Sequence, residues 1–402
     1  MEILPFDINN YEIIGYGLLL TLAVLLSVVA VRRKATLSHW LADNALDTDS
    51  EENPLPLPGI SVIVLAAHAD ADYMEESIPL MMEQDYPDFE VIVVNMDKSE
   101  AVDDAIIRLQ MVHPTLRATF IPGSSANVSK RKLGITLGIK AARHDVVAIT
   151  SAHCFPQSSL WLRAMGRHFD DYTDMVLGYS HNRHTDDRTF GHRYRTYDTT
   201  ADAARYLAAA IHGNTFRGNA DNIAYKRSAF LAVKGFSSSL NLKYGDDDIF
   251  VSQVADGDNV AVELSPESIL ESRYVDYAYF YKVNKEHHYF TQKFLPSKML
   301  GIRILTQIAY YAFLLLTAAG IAYPALLGAD GADIVKPVAL ASLALAAYLA
   351  EVLINIFAQR RMAKALQSPL LFFSIPLFRF VRPIINTVRN SKAPQARNYT
   401  WE

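Results

Sequence analysis

Between residues 60 and 156 the sequence alternates short β-branched apolar runs with longer stretches of helical spacing, and few architectures accept that alternation. Ile60–Ala66, Phe89–Asn95, Ala118–Ile121 and the run Val146-Val147-Ala148-Ile149 have strand length and are rich in Val and Ile. Asp72–Glu83, Val102–Met111 and Asn127–Arg143 lie between them and read as helices, the last with Leu133, Thr136, Leu137 and Lys140 at helical spacing. Strands that alternate with helices predict an α/β domain around a mostly parallel, doubly wound sheet. Ligands of such sheets bind in the crevice beyond the carboxyl ends of the strands. The polar cluster Ser151-Ala152-His153-Cys154 follows the fourth run and precedes the turn at Pro156, so it marks a candidate site.

Half of the 402 residues are hydrophobic, and the excess is concentrated at the two ends. Tyr11–Val31 carries no charge after Glu12, and a helix crossing the hydrocarbon core needs roughly 20 apolar residues. The acidic start (Glu2, Asp7, Glu12) is unlike a signal peptide. Arg32-Arg33-Lys34 follows at once, which predicts an N-terminus outside and the next domain in the cytoplasm. Ile302–Leu327 and Pro337–Phe357 predict two more spans, with Asp330 and Asp333 in an outward connection and Arg360, Arg361 and Lys364 at the return. Tyr274–Phe294, aromatic and basic, reads as a helix at the membrane interface that includes His287-His288. Pro369–Val388, interrupted by Pro376 and Pro383, reads as interfacial or re-entrant. The expected organisation is an anchor (1–34), a linker (35–58), the α/β domain (59–272), an interfacial segment (273–300), paired spans (301–358) and a cytoplasmic interfacial or re-entrant segment with its tail (359–402). A net charge of −5 gives no basic field for nucleic acid, and the single cysteine, Cys154, excludes an intrachain disulfide.

Several strings then resemble one family. They are S-V-I-V-L-A-A-H (61–68), Q-D-Y-P-D-F-E (84–90), V-I-V-V-N (91–95), S-K-R-K-L-G-I-T-L-G-I-K-A-A (129–142), N-I-A-Y-K-R-S-A-F (222–230), K-G-F (234–236) and G-D-D-D-I-F-V (245–251). In this order they resemble membrane-anchored bacterial family 2 glycosyltransferases over roughly residues 59–300. The resemblance implies a GT-A fold and inverting transfer from a nucleotide-sugar donor to an acceptor hydroxyl. It also implies a multi-pass protein of the bacterial inner membrane with its globular domain in the cytoplasm. The acceptor would be lipid-linked or an envelope glycan, and a partner glycosyltransferase or envelope-assembly proteins would be its companions.

Such chemistry needs a carboxylate base for the acceptor proton and a counter-charge for the departing diphosphate, usually a divalent metal. Asp246-Asp247-Asp248 stands at a predicted helix start, and the resemblance leaves Asp246 or Asp247 as base, Asp246 being favoured with Asp248 in support. The family's T-D-A-D-C reads Thr150-Ser151-Ala152-His153-Cys154 here, so both metal carboxylates are missing. Mn²⁺ or Mg²⁺ would then have only His153 to hold it, and hard Mg²⁺ prefers oxygen. Donor contacts are expected from Ala67, His68, Asn95, Asp97, Lys130, Arg131, Ser151 and His153, with Lys132 a further candidate for phosphate. The acceptor side is assigned to Asn222, Asp248, Glu286 and His287. The family's Q-x-x-R-[WH] element becomes Val283-Asn284-Lys285-Glu286-His287, so Glu286 replaces a cation. A loop with His181, His184 and, shortly after, His192 lacks the framing of a metal site. Three readings remain: a metal-using transferase, a metal-independent one, and a silent relative serving as scaffold or regulatory subunit.

Overall fold

A computed structural model describes residues 10–44, 57–122, 129–183, 185, 187–240, 242–326 and 335–392. Asp330, Asp333, His184 and half of the expected linker (45–56) lie outside the described residues. Helix α1 (Asn10–Asp43) passes through Arg32-Arg33-Lys34 without a break. The linker expected from residue 35 therefore begins as helix. The reason is burial: Leu37 is enclosed in the α/β core, and Trp40 and Leu41 pack against it.

The alternation follows as β1 (Ile60–Ala66), α2 (Ala71–Met82), β2 (Phe89–Asn95), α3 (Glu100–Val112), β3 (Arg117–Phe120), α4 (Lys130–Ala141) and β4 (Val146–Ser151). Shorter elements come next: β5 (Cys154–Pro156), α5 (Trp161–Gly166), β6 (Met175–Leu177), β7 (Ser180–Asn182), the long α6 (Phe190–Ile211), β8 (Ile223–Lys226), α7 (Arg227–Ala232), α8 (Ile249–Val254), β9 (Val260–Val262) and β10 (Leu270–Ser272). The main sheet runs β3-β2-β1-β4-β8-β6-β9, with β8 antiparallel to both neighbours and every other pairing parallel. A small sheet, β5-β10-β7, flanks it.

Both sheet faces are covered, which is why the strands read as unbroken apolar runs. Ile63, Leu65, Ile92, Val94, Val147 and Ile149 face α4 and α6. The alternate residues Val62, Val64, Val91, Val93, Val146 and Ala148 face α2 and α3. This is the α/β class with a mostly parallel sheet that the alternation predicts.

Helices α9 (Tyr277–Thr291), α10 (Ser297–Leu326), α11 (Val335–Ala365) and α12 (Ile375–Lys392) complete the described chain. Tyr11–Asp43, Leu300–Tyr323 and Val335–Ala365 are long and apolar enough to cross a membrane. They pack through Leu19, Ala23, Leu26, Tyr310, Phe313 and Ala344. Helix α12 seats Ile375 and Phe378 on Tyr194 and Tyr197 of α6.

The interfacial reading of 274–294 needs correction. Tyr281, Lys285, His287, Tyr289 and Phe290 of α9 are buried in protein rather than turned to headgroups. Two carboxylates of α6 draw them in: the Tyr281 hydroxyl donates to Asp198 at 2.5 Å, and Lys285 reaches Asp198 at 2.7 Å and also Asp202.

Helix α4 lies close to β1 because Gly138 has no side chain; a Cβ there would run into Cγ2 of Ile63. Gly138→Leu should cost about 1–3 kcal/mol by overpacking, seen as a lower midpoint in thermal unfolding of the detergent-solubilised protein. An unchanged midpoint would show that α4 does not rest on β1 in this way.

Candidate active site

The loop after β4, the start of α4, β7, the loops before β8 and α8, and one side each of α6 and α9 enclose a cavity of about 980 Å³. Its floor is organised by Arg131. The Arg131 Nε donates to Asp246 Oδ2 at 2.7 Å, and its Nη2 donates to the Ala220 carbonyl at 2.6 Å and to Asp221 Oδ1 at 3.3 Å. Its Nη1 donates to Ser151 Oγ at 3.2 Å, and Ser151 Oγ in turn donates to Asp221 Oδ1 at 2.7 Å. His153 puts Nδ1 3.0 Å from Asp70 Oδ1 and Nε2 3.5 Å from Asp221 Oδ2. Tyr274 closes this corner, its hydroxyl donating to Asp221 Oδ2 at 3.3 Å and its ring stacking on Phe280.

These contacts set the charges. Burial disfavours the His153 imidazolium, yet the Cys154 sulfur, Asp221 and Asp70 raise its pKa well above the ordinary value. Burial likewise opposes ionisation of Asp221, but His153, Arg131 and Ser151 hold its carboxyl far below the usual range. The corner is a compensated cluster of two cations with Asp70, Asp221 and Asp246.

That arrangement does not fit the family's metal. Ser151 spends its proton on Asp221, and Asp221 already faces a guanidinium and an imidazolium. His153, Cys154 and Asp221 do bring donor atoms within 4.8 Å of one another. One carboxylate, one imidazole and a buried thiol are nevertheless a poor set for Mg²⁺ or Mn²⁺, and the Cys154 Sγ already meets Ser272 Oγ at 3.4 Å. A divalent ion would also stand beside Arg131.

A second cluster lies across the cavity. Asp247 Oδ1 is 3.1 Å from His287 Nε2, and Asp247 Oδ2 is 3.6 Å from His288 Nε2. Tyr244 stacks on His287 with ring centres 4.6 Å apart. Asp247 Oδ1 and both Nε2 atoms are buried without a hydrogen-bond partner, and they converge within 4.8 Å. The two imidazoles are driven apart. Burial opposes the charge on His287, but Asp247 and Asp248 push its pKa up to about 10. Burial and the Arg217 charge push His288 down to about 4. The expectation that this pair sits at the membrane interface is thus corrected; Asp247 draws both rings into the cavity wall.

The expected residues divide. Lys130, Arg131, His153, Asp246, Asp247, Glu286 and His287 line the cavity, and Ser151 lies directly beneath it. Asn222 does not reach it: its amide donates to the Tyr179 and Ser268 carbonyls and accepts from Trp161 Nε1, a core junction. Asp248 faces away, capping α8 through the Ile249 amide and accepting from the Thr291 hydroxyl. Asn95 is enclosed and spends its amide on Ser99 and Asp103. Asp97 joins the His68 amide to Lys130 at the rim, while His68 Nδ1 meets Ser99 and the Ala67 amide donates to Asp70. These four shape the β1 and β2 ends without lining the cavity. Lys132 is fully buried, its ammonium donating to the Ser239 and Leu242 carbonyls, so it does not meet phosphate. Burial pushes it down to about 8. His181 and His192 do not converge; they meet Asn182 and Thr185 respectively.

Asp70, Asp221 and Arg217 escape sequence reasoning. Asp221 immediately precedes the N-I-A-Y-K string, and Asp70 closes the H-A-D after β1. Acid at a strand end was the available signal.

The histidine pair predicts a pH dependence. His287 adds stability that is complete below its ordinary 6.5 and lost as pH rises through about 10. His288, a depressed base, adds stability that is complete above 6.5 and lost as pH falls through about 4. From this pair the thermal midpoint should peak near pH 6.5. His287→Asn should flatten the alkaline limb and keep the acid one; an alkaline limb of unchanged slope would refute the assignment.

Similarity to known proteins accords with this geometry. The chain is similar in structure to the mannosyltransferase PcManGT from Pyrobaculum calidifontis in complex with GDP-Man and Mn2+, at 18% identity and a TM-score of 0.49, over 86% of this chain and 97% of that one. It is also similar to TarS of S. aureus at 14% identity and a TM-score of 0.40, over 83% of this chain and 54% of that one. No curated protein sequence matches it. The family model for glycosyl transferase family 21 matches residues 19–285, which takes in α1, the sheet and most of α9. The expected kinship with glycosyltransferases therefore holds, and the chain belongs to glycosyl transferase family 21.

Proposed function

We propose that this protein transfers a sugar, with inversion, from a nucleotide-sugar to a lipid-linked or envelope-glycan acceptor at the cytoplasmic face of a bacterial inner membrane. The observation that carries the reading is the cavity itself, which sets Lys130, Arg131 and His153 on one side and the Asp247 carboxylate with its two imidazoles on the other. Lys130, Arg131 and His153 are placed to face a diphosphate, and preorganised cations in a site of low dielectric stabilise a leaving anion without solvent rearrangement. In this reading no metal takes part. The three helices apolar enough to cross a membrane support a membrane acceptor, and the basic run after the first of them supports the orientation.

Asp247 is the better base. It lies in the cavity wall beside imidazoles, its Oδ1 3.1 Å from His287 Nε2, whereas Asp246 Oδ2 is engaged by Arg131 at 2.7 Å. Asp246 instead positions the guanidinium. Asp247→Asn should lower kcat by about 10²–10⁴, the usual worth of a general base. Asp246→Asn should act mainly on the donor KM by releasing Arg131. If Asp246→Asn shows the larger loss in kcat, the two roles are reversed.

Donor binding tests the leaving-group side. UDP- and GDP-sugars titrated into the solubilised protein should give an affinity that Mn²⁺ and EDTA leave unchanged. Arg131→Ala should weaken it about 10-fold or more, the cost of losing a charged hydrogen bond. Binding that requires Mn²⁺ would refute the metal-free reading and turn attention to Asp247, His287 and His288. No binding with either nucleotide would favour the scaffold reading.

A further inference from the structure

A second, smaller cavity of about 190 Å³ lies where α1, α10, α11 and α12 meet the α/β domain. Six arginines line it: Arg33, Arg205, Arg217, Arg303, Arg379 and Arg382. The acids within reach are too few. Arg382 pairs with Asp198 at 2.5 Å and Asp202 at 2.7 Å, Arg379 with Glu351 at 2.6 Å, and Arg205 with Asp202 at 3.5 Å. Lys285 draws on the same two aspartates. Arg33, Arg217 and Arg303 form no ion pair among the described residues. The Nε atoms of Arg205, Arg217 and Arg303 are buried without a hydrogen-bond partner, and Arg217 as a whole is only 4% exposed.

A buried guanidinium that no carboxylate pairs is costly, and the surplus of cation at the buried Arg217 and the half-buried Arg33 and Arg303 suits this wall to an anion. Burial and the neighbouring arginines already push Arg205 down to about 9. The guanidinium fork matches phosphoryl oxygens. Leu26, Val29, Ala30, Leu300, Met362 and Ile375 give the same cavity an apolar portion, about one helical turn from the arginines of α1, α10 and α12. On the adjoining flanks of the candidate spans, Val24, Leu25, Ile302 and Leu305 are exposed. Arg217, Lys285, His288 and Asp202 line both this cavity and the larger one, so the two adjoin. An anionic head and an apolar body are thus called for at one place.

We propose that this arginine-lined cavity binds the phosphate headgroup of a membrane lipid, with the lipid chains against α1 and α10 and the head adjoining the sugar-transfer cavity. The site goes beyond the transferase reading, since the lipid binds whether or not a sugar moves.

The test uses the full chain in maltoside detergent, with dioleoyl phosphatidic acid, dioleoylglycerol and inorganic phosphate as separate probes. Native mass spectrometry reads stoichiometry and thermophoresis reads affinity. Phosphatidic acid should bind saturably, with dioleoylglycerol about tenfold or more weaker for want of charged hydrogen bonds. Arg217→Gln and Arg303→Gln should each weaken phosphatidic acid by about tenfold. Equal affinity for dioleoylglycerol would overturn the proposal by showing an apolar groove. Displacement of the lipid by equimolar inorganic phosphate would overturn it by showing a free-anion site. If Arg217→Gln does not fold, the wild-type comparison and Arg303→Gln decide, and an unchanged Arg303→Gln affinity counts against the site. Nucleotide-sugar binding by the wild-type protein is measured in parallel. Donor binding without lipid binding ends this inference alone, and lipid binding without donor binding ends the transferase reading alone.

Discussion

The Arg131 guanidinium ties together the polar ends of three pieces of chain. It reaches Ser151 at the end of β4, the Ala220-Asp221 turn before β8, and Asp246 in the loop before α8. Each of those segments carries polar groups that would be costly to bury unpaired. With one fixed cation among them, the carboxylates of Asp221 and Asp246 can be buried and ionised together. The walls of the cavity depend on that arrangement. His153 extends it towards Asp70 and so ties in the end of β1.

A second ionic junction couples the cavity to the membrane portion. Asp198 and Asp202 of α6 hold Lys285 of α9 and Arg382 of α12 together, with the Tyr281 hydroxyl donating to Asp198. Breaking such a buried network by removing one partner leaves an uncompensated charge. The network therefore fixes how α9 presents His287 and His288 to Asp247. It also fixes how α12 closes the arginine-lined cavity. The walls of both cavities are set by the same few side chains.

Much of the frame was legible in the chain because its signals are local. The unbroken apolar run Val62-Ile63-Val64-Leu65 marks a strand buried on both faces, and nineteen uncharged residues after Glu12 mark a long apolar helix. Asp246, Asp247, Arg131 and His153 stood out as polar residues at element ends, where clefts form. Asp248 and Asn222 stood out for the same reason and yet serve packing. Adjacent residues of one loop point in different directions, and spacing does not say which one faces a cavity.

Sequence alone determined the class of fold, the apolar helices, and the polar residues Ser151 and His153 just past the fourth strand. Tertiary structure decided what surrounds them. Arg131 and Asp246 are 115 positions apart, and His287 and Asp247 are 40 apart in number yet 3.1 Å apart in space. Charge pairing of that kind depends on where the sheet brings remote loops together, and no local pattern of residues encodes it. The same holds for the six arginines, which are scattered from residue 33 to residue 382 and become a site only when the helices close around them.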